Sequence, residues 1–251
     1  MVNPEDNGLP AELEQLTEQD SGMGVSDQFA DMLTPIVSVL QTNSPQCDVR
    51  GADYVDNAEP GMFWLRGSDP PIRESLDVIC CGMLHTFTEW LPARQGYVGR
   101  HADLPDDVQI TTDSSSGRRS YVRTGNKNVL EDTRELYLAI DGTLHMLPAT
   151  STKHTFVRAL ETFFNQQRNP KTGSVLPSFA HRLRLTTVPR SNAKGRWFDI
   201  KFETIVQDGR RVWPSLTQYQ EAKKLTESVE RGLQPLLASG SAASIPGPKA
   251  A

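Results

Sequence analysis

The dipeptide Asp141-Gly142 constrains the fold of this chain more than any other short segment. It lies between two runs rich in apolar residues, 134–140 and 143–147. An Asp-Gly pair in this position is typical of a two-residue hairpin turn, because both central residues of that turn take positive φ. The pattern therefore predicts two antiparallel strands joined by a tight turn.

A helix is predicted directly after this hairpin. Residues 150–152 carry three hydroxyl groups suited to capping a helix, and Phe156, Leu160, Phe163 and Phe164 recur at helical spacing. We expect this helix to end near residue 167 and to pack its phenylalanine face against the sheet.

Other segments have the composition of strands, because they are rich in β-branched, aromatic and apolar residues and are bounded by Gly, Asp, Pro or Ser. These predicted strands cover 62–65, 76–91, 109–112, 120–123, 179–188 and 196–206. The polar segment 189–195 is too long for a tight hairpin, so a loop is expected there. A second helix is predicted from 215 to about 237, with Gly232 and Pro235 expected to end or bend it.

The order of these elements predicts a mainly β protein with peripheral α-helices. A chain of 251 residues is long enough to bury a sizeable core. Four regions are predicted: an acidic flexible arm, a β-rich nucleic-acid-binding domain, a C-terminal helical segment and a flexible tail, over 1–31, 32–207, 208–237 and 238–251.

Charge is unevenly distributed along the chain. Residues 1–60 carry twelve acidic residues and one basic residue, whereas 82–203 carry seventeen basic residues and twelve acidic ones. An acidic arm before a basic body is compatible with a groove that binds a polyanion. It is equally compatible with two solvated surfaces of different composition.

The sequence gives little support to an enzyme. It has no phosphate-binding glycine loop, no zinc-protease motif and no cysteine spacing suited to a metal, so neither catalysis, a cofactor nor a metal is expected. The adjacent acidic pairs Glu131-Asp132 and Asp106-Asp107 would need to converge on a metal to form a nuclease, and adjacent side chains usually point apart. No apolar run approaches the ~20 residues of a membrane span. We therefore expect a soluble, cytoplasmic, non-enzymatic protein with no membrane contact.

Basic and aromatic residues lie close together at three places in the basic body, which favours binding of single-stranded DNA. Such binding needs cations along the phosphates and aromatic faces on which bases stack. The candidate residues are Trp90, Arg94, Tyr97, Arg100, Arg118, Arg119, Tyr121, Arg123, Lys153, Arg182, Arg184, Lys194, Arg196 and Trp197.

Several short stretches resemble a group of bacteriophage single-stranded DNA-binding proteins. They are 34–45, an apolar segment leading to Gln41-Thr-Asn-Ser-Pro, and the shorter stretches 89–94, 124–126 and 150–153. The resemblance spans roughly 33–205 and implies an oligonucleotide-binding barrel that coats single-stranded DNA during phage replication or recombination, in the cytoplasm of the host cell. Such proteins commonly carry an acidic C-terminal tail that recruits partners. Here the acidic residues lie at the N-terminus, so we expect the arm to contact replication or recombination proteins.

A virion structural or assembly protein that makes protein contacts only is the alternative. It would assemble through its β-rich body and its C-terminal helix, and it would show no salt-sensitive binding to oligonucleotides. The sequence does not distinguish oligomeric states.

Overall fold

The structure is a computed structural model. It describes residues 10, 13, 16–18, 34–114, 119–193 and 195–239, and of residues 231–239 it describes the backbone alone.

The described chain is mainly β, with two long helices. The strands are β1 (Val37–Val39), β2 (Phe63–Leu65), β3 (Ile72–Arg73), β4 (Leu76–Trp90), β5 (Tyr97–His101), β6 (Val108–Thr112), β7 (Arg119–Arg123), β8 (Val129–Ile140), β9 (Thr143–Thr150), β10 (Arg182–Asn192), β11 (Gly195–Thr204), β12 (Val206–Gln207) and β13 (Arg210–Arg211). The two long helices are α1 (His154–Gln166) and α2 (Leu216–Ser239).

A long antiparallel ladder between β4 and β8 organises the main sheet. The first part of β4 pairs with β10, which pairs with β11, and the last part of β8 pairs with β9. We call these five strands the near half. Beyond them, β4 pairs with β5, and β8 pairs with β7, which pairs with β6. These strands, with the second part of the ladder, form the far half.

The predicted Asp-Gly hairpin is confirmed. Asp141 and Gly142 have φ of 50° and 80°, and Ile140 pairs with Thr143 across the turn. The predicted loop at 189–195 is wrong, because β10 continues to Asn192 and pairs there with Gly195, the first residue of β11. Both faces of this hairpin end are solvent-exposed, so its polar sequence carries no apolar alternation that indicates a strand.

The near half curls around an inner core that α1 fills. Phe156, Val157, Leu160 and Phe164 of α1 are buried there against inward-facing residues of the strands. The small sheet of β1, β2 and β3 lies between the two sides of the curl. Ile36 forms a β-bridge with Met146 of β9. The side-chain amide of Gln41 donates a hydrogen bond to the backbone C=O of Phe198 on β11 and accepts one from its N–H. The result is a mainly β fold with a curled half-barrel sheet and a few helices, and it is compatible with the predicted core of the oligonucleotide-binding type.

The outer face of the near half is covered by α2. Tyr219, Ala222 and Val229 of this helix are buried against Tyr137 and other outward-facing residues of the ladder. Leu13, which belongs to the predicted acidic arm, is buried in the same cluster. Neither helix of the described residues combines the length and apolar character that crossing a bilayer requires.

Candidate nucleic-acid interface

The outer face of the far half carries a row of aromatic, aliphatic and amide side chains across five strands. A β-bulge at Cys81 determines which of the following β4 side chains point to each face of the sheet. Leu84 packs with Tyr137 and Tyr219 on the outer face, and Trp90 lies on the same face. In the sheet register Trp90 pairs with Tyr97 on one side and Val129 on the other. The row continues through Val122 to Gln109, because paired residues of antiparallel strands point to one face. We call these five residues the aromatic row.

The aromatic row is accessible to solvent in the described structure. Tyr97 is 38% exposed, Gln109 is exposed, and Trp90, Val122 and Val129 are partly exposed. The Trp90 and Tyr97 rings meet edge to face, with centroids 5.8 Å apart and an interplanar angle of 81°. The edge of one ring therefore faces the plane of the other.

The turn between β4 and β5 supports this ring pair at one end of the far half. Ala93 and Arg94 both have positive φ, 55° and 57°, as tight hairpin turns require. Leu91 is exposed at the same turn. The turn thus sets Tyr97 directly opposite Trp90.

The two arginines predicted beside these aromatics are both paired with glutamates. Arg94 Nη2 lies 2.6 Å from Glu131 Oε1, with 59% of the arginine side chain exposed. Arg100 Nη1 lies 3.3 Å from Glu135 Oε2, and both of these side chains are largely buried. Arg94 remains accessible to a phosphate, because an exposed ion pair contributes little free energy. Arg100 serves mainly to neutralise Glu135.

The second predicted cluster lies on the opposite face of the far half. Tyr121 is buried against Phe87 and Leu130, with its ring centroid 5.5 Å from that of Phe87. A buried ring offers no face to a base. Arg119 is exposed and makes no ion pair with a described residue. Arg118 lies outside the described residues.

Arg123 belongs to a buried polar network around Glu89, which is 3% exposed. The Glu89 carboxylate accepts hydrogen bonds from Asn128 at 2.6 Å and Arg123 at 3.1 Å, and its Oε2 lies 2.6 Å from His101 Nε2. Arg123 also pairs with Asp107 at 2.8 Å. Burial by itself would raise the pKa of Glu89, but the hydrogen bonds from Asn128 and His101 and the charge of Arg123 outweigh it, so its pKa is lowered. Arg123 thus forms ion pairs with two carboxylates of the protein itself, Glu89 and Asp107.

The third predicted cluster lies beyond the other end of β4. Leu185 of β10 pairs with Leu76, the first residue of β4, so the β10–β11 hairpin projects past that end. Its exposed end carries Arg196 and the partly exposed Trp197, and Lys194 lies outside the described residues. Trp90 is the last residue of the 15-residue β4, so Trp197 and Trp90 lie near opposite ends of this strand.

The remaining predicted cations are held by carboxylates or by burial. Arg184 binds Asp77 through two hydrogen bonds of 2.7 and 2.9 Å, and Arg182 lies 3.9 Å from the same carboxylate. Lys153 is half-buried, and burial lowers the pKa of its amine. The structure therefore brings together Trp90, Arg94, Tyr97 and Arg100, and it separates the other described candidates from them.

Sequence reasoning missed Gln109, Val122 and Val129 as members of the candidate interface. Each belongs to a short alternating segment that predicts a strand, but alternation does not say which strands are neighbours. Only the register across β6, β7 and β8 places the three beside Trp90.

Metal-binding groups and cavities are two further features of the described residues that bear on a functional site. No three His, Cys, Asp or Glu side chains among them are arranged to hold a metal ion. A cavity of about 230 Å³ lies at the start of β4, but Arg73 with Asp141 and Arg184 with Asp77 line it as two closed ion pairs.

Comparison with protein families gives a match over most of the chain. The family model of Pam3 phage gp34-like proteins matches residues 5–234, which is most of the chain. A search of curated proteins and a search of solved structures each found no match.

Proposed function

We propose, from the premise that this chain belongs to the Pam3 phage gp34-like protein family, that this phage protein binds single-stranded DNA on its aromatic row. Binding takes place without strong base preference and without catalysis, and it serves phage DNA replication or recombination. The acidic arm is the proposed contact for other proteins of those processes, because residues 1–31 carry eight acidic residues and no basic ones.

The observation that carries the proposal is an accessible sheet face with Tyr97 and Trp90 side by side. Aromatic side chains on a sheet provide stacking surfaces for unpaired bases, and each stacked base contributes about 1–3 kcal/mol. Stacking depends little on base identity, because every base has a flat π face. Val122 and Val129 extend this surface with apolar contact, and Gln109 adds an amide at its edge.

Electrostatic attraction contributes less than the basic composition of the body predicts. Arg94 and Arg100 each have a glutamate partner, so the row offers about one or two phosphate contacts. Each contact lowers the logarithm of affinity by about 0.7 per tenfold rise in salt. We therefore expect a shallow salt dependence, with stacking as the main source of affinity.

The test is a fluorescence-anisotropy titration with labelled oligo-dT of about 30 nucleotides, long enough for several sites of about 4–16 nucleotides. Tyr97→Ala should raise the Kd by about tenfold or more, because it removes one stacking ring. Tyr54→Ala, the same substitution in the loop before β2, is the matched control and should leave the Kd unchanged. Equal Kd values for wild type and Tyr97→Ala would refute the aromatic row as the site, and no binding by wild type would refute the function.

A further inference from the structure

β6 forms one edge of the main sheet in the described structure, next to the end of the aromatic row. Its five residues run Val-Gln-Ile-Thr-Thr, and the last four are exposed. Ile110, at the centre of the strand, is 50% exposed. An edge strand with an exposed apolar residue is a template for pairing with another strand, unless charges or a bulge block it.

The backbone of β6 shows which groups point away from the sheet. Thr124 N donates to Asp107 O at 2.9 Å, so the backbone groups of Asp107 point toward β7. Hydrogen-bonding direction alternates along an antiparallel strand. The groups of Gln109 and Thr111 therefore also point toward β7, and those of Val108, Ile110 and Thr112 point outward.

We propose that β6 pairs in antiparallel fashion with β6 of a second copy of this chain, about a two-fold axis at Ile110. In this register the two Ile110 residues exchange both backbone hydrogen bonds. Thr112 N of each copy donates to Val108 O of the other. The Val108 amide already donates to Pro105 O at 3.3 Å within its own chain, so the pairing rests on four backbone hydrogen bonds.

The side chains fit a second copy in this register. Ile110 meets Ile110 on the face that carries the Phe87 and Tyr121 cluster, so each covers the other's exposed surface. Gln109 meets Thr111 of the second copy on the outer face. The register also brings Asp107 toward Asp113 of the second copy, but Arg123 already neutralises Asp107 with contacts of 2.8 and 3.0 Å. Repulsion at the two ends of the pairing is thereby reduced.

Pairing about this axis has a consequence that rests on the proposed function. A two-fold axis perpendicular to a sheet keeps equivalent faces on the same side. The aromatic rows of the two copies would then lie on one continuous face, with each Gln109 next to the second copy. A dimer would offer two stacking sites to one strand of DNA, which raises the apparent affinity through effective concentration.

The experiment measures the mass of the full chain by sedimentation, without DNA and over a range of concentrations. An interface this small predicts a reversible dimer, with a Kd on the order of micromolar. Ile110→Lys places two like charges opposite each other at the axis and should raise the dimer Kd by about tenfold or more. Thr111→Lys puts the same charge on the neighbouring residue, where it faces Gln109 of the second copy, and should leave the dimer intact.

A wild type that stays at 27.8 kDa at its highest soluble concentration would overturn the inference. A dimer that Ile110→Lys does not weaken would overturn it as well, since another surface would then make the contact. Ile110→Cys provides an independent measurement, because paired Cα atoms about 5.5 Å apart permit a disulfide across the axis. Oxidised Ile110→Cys should run as a covalent dimer on a denaturing gel, and its absence would count against the register.

DNA binding is measured separately on Ile110→Lys. This residue lies on the face opposite the aromatic row, so the affinity of a single site for a short oligonucleotide should be unchanged. Loss of the dimer with retained binding supports both proposals. An intact wild-type dimer that binds no DNA removes the proposed function and leaves the pairing in place.

Discussion

The buried pair of Arg211 and His181 predicts a specific loss of stability in acid. The β12–β13 hairpin brings Arg211 Nη2 to 2.7 Å from His181 Nδ1, and its Nη1 donates to Gln167 Oε1 at 2.9 Å. The guanidinium also lies 4.2 Å from the centre of the Trp213 ring. Because arginine only donates hydrogen bonds, Nδ1 of His181 accepts this one and the neutral imidazole carries its proton on Nε2.

Protonation of His181 in the folded protein would place two positive charges side by side in a buried site. Burial lowers the pKa of His181 well below its ordinary value of 6.5, and the charge of Arg211 lowers it further. The unfolded chain therefore binds more protons than the folded one once the pH falls below 6.5. Stability is fully present above that pH and decreases as the pH falls toward the folded-state pKa.

The magnitude follows from the linkage of protonation to folding. One proton taken up only by the unfolded chain changes the free energy of unfolding by 1.36 kcal/mol per pH unit. With an unfolded pKa of 6.5, the loss between about pH 7.5 and pH 5 is roughly 2 kcal/mol. Urea unfolding at a series of pH values measures it directly.

His181→Asn is the diagnostic variant. Its side-chain oxygen can accept the hydrogen bond from Arg211, and it does not titrate. The variant is less stable at every pH because ring contacts with Phe164 are lost, but its loss between pH 7.5 and pH 5 should be smaller than that of wild type by about 2 kcal/mol. An identical acid loss in both proteins, or a His181 NMR titration near pH 6.5 in the folded state, would refute the reasoning.

Two further predictions concern the residues that hold the far half and the curl of the near half. Glu89→Gln should lower the free energy of unfolding by about 2–4 kcal/mol, since it removes the charge of a buried carboxylate that pairs with Arg123. The control Glu131→Gln, at an exposed ion pair, should cost no more than about 1 kcal/mol. Equal losses in the two variants would contradict the structural role assigned to Glu89. Gly61→Ala should cost about 2–4 kcal/mol because φ is +97° and the new Cβ would lie 2.7 Å from the Phe198 ring. Gly125→Ala has open space around it and is the control, so a similar loss in both would argue against close packing at Phe198, as measured by thermal or urea unfolding.

Most strands and both helices were predictable because their signals are local. The turn at Asp141-Gly142 depends on two residues that tolerate positive φ. The helix α1 is indicated by apolar residues, mostly phenylalanines, that recur at the spacing of a helical turn. The segment 189–195 at the end of the β10–β11 hairpin escaped prediction as strand for the same reason. Both of its faces meet solvent, so no local alternation marked the strands.

The candidate interface was predictable only in part. Trp90, Arg94, Tyr97 and Arg100 lie within eleven consecutive residues, so one hairpin brings them together. Tyr121 has equally basic neighbours in the sequence, yet its ring is buried because its strand turns it toward Phe87. A shift of one residue in strand register would exchange the two faces, and neighbours in sequence do not fix that register.

The sequence by itself determined the mainly β fold, the tight hairpin, the two helices and the division of charge between arm and body. The tertiary structure decided which charges remain available and which aromatic rings reach solvent. Glu131 neutralises Arg94 from 37 residues away, and Asp77 binds Arg184 across a separation of 107 residues. Turn and helix preferences act over a few neighbouring residues, whereas ion pairing and burial depend on strands that meet only when the sheet is complete.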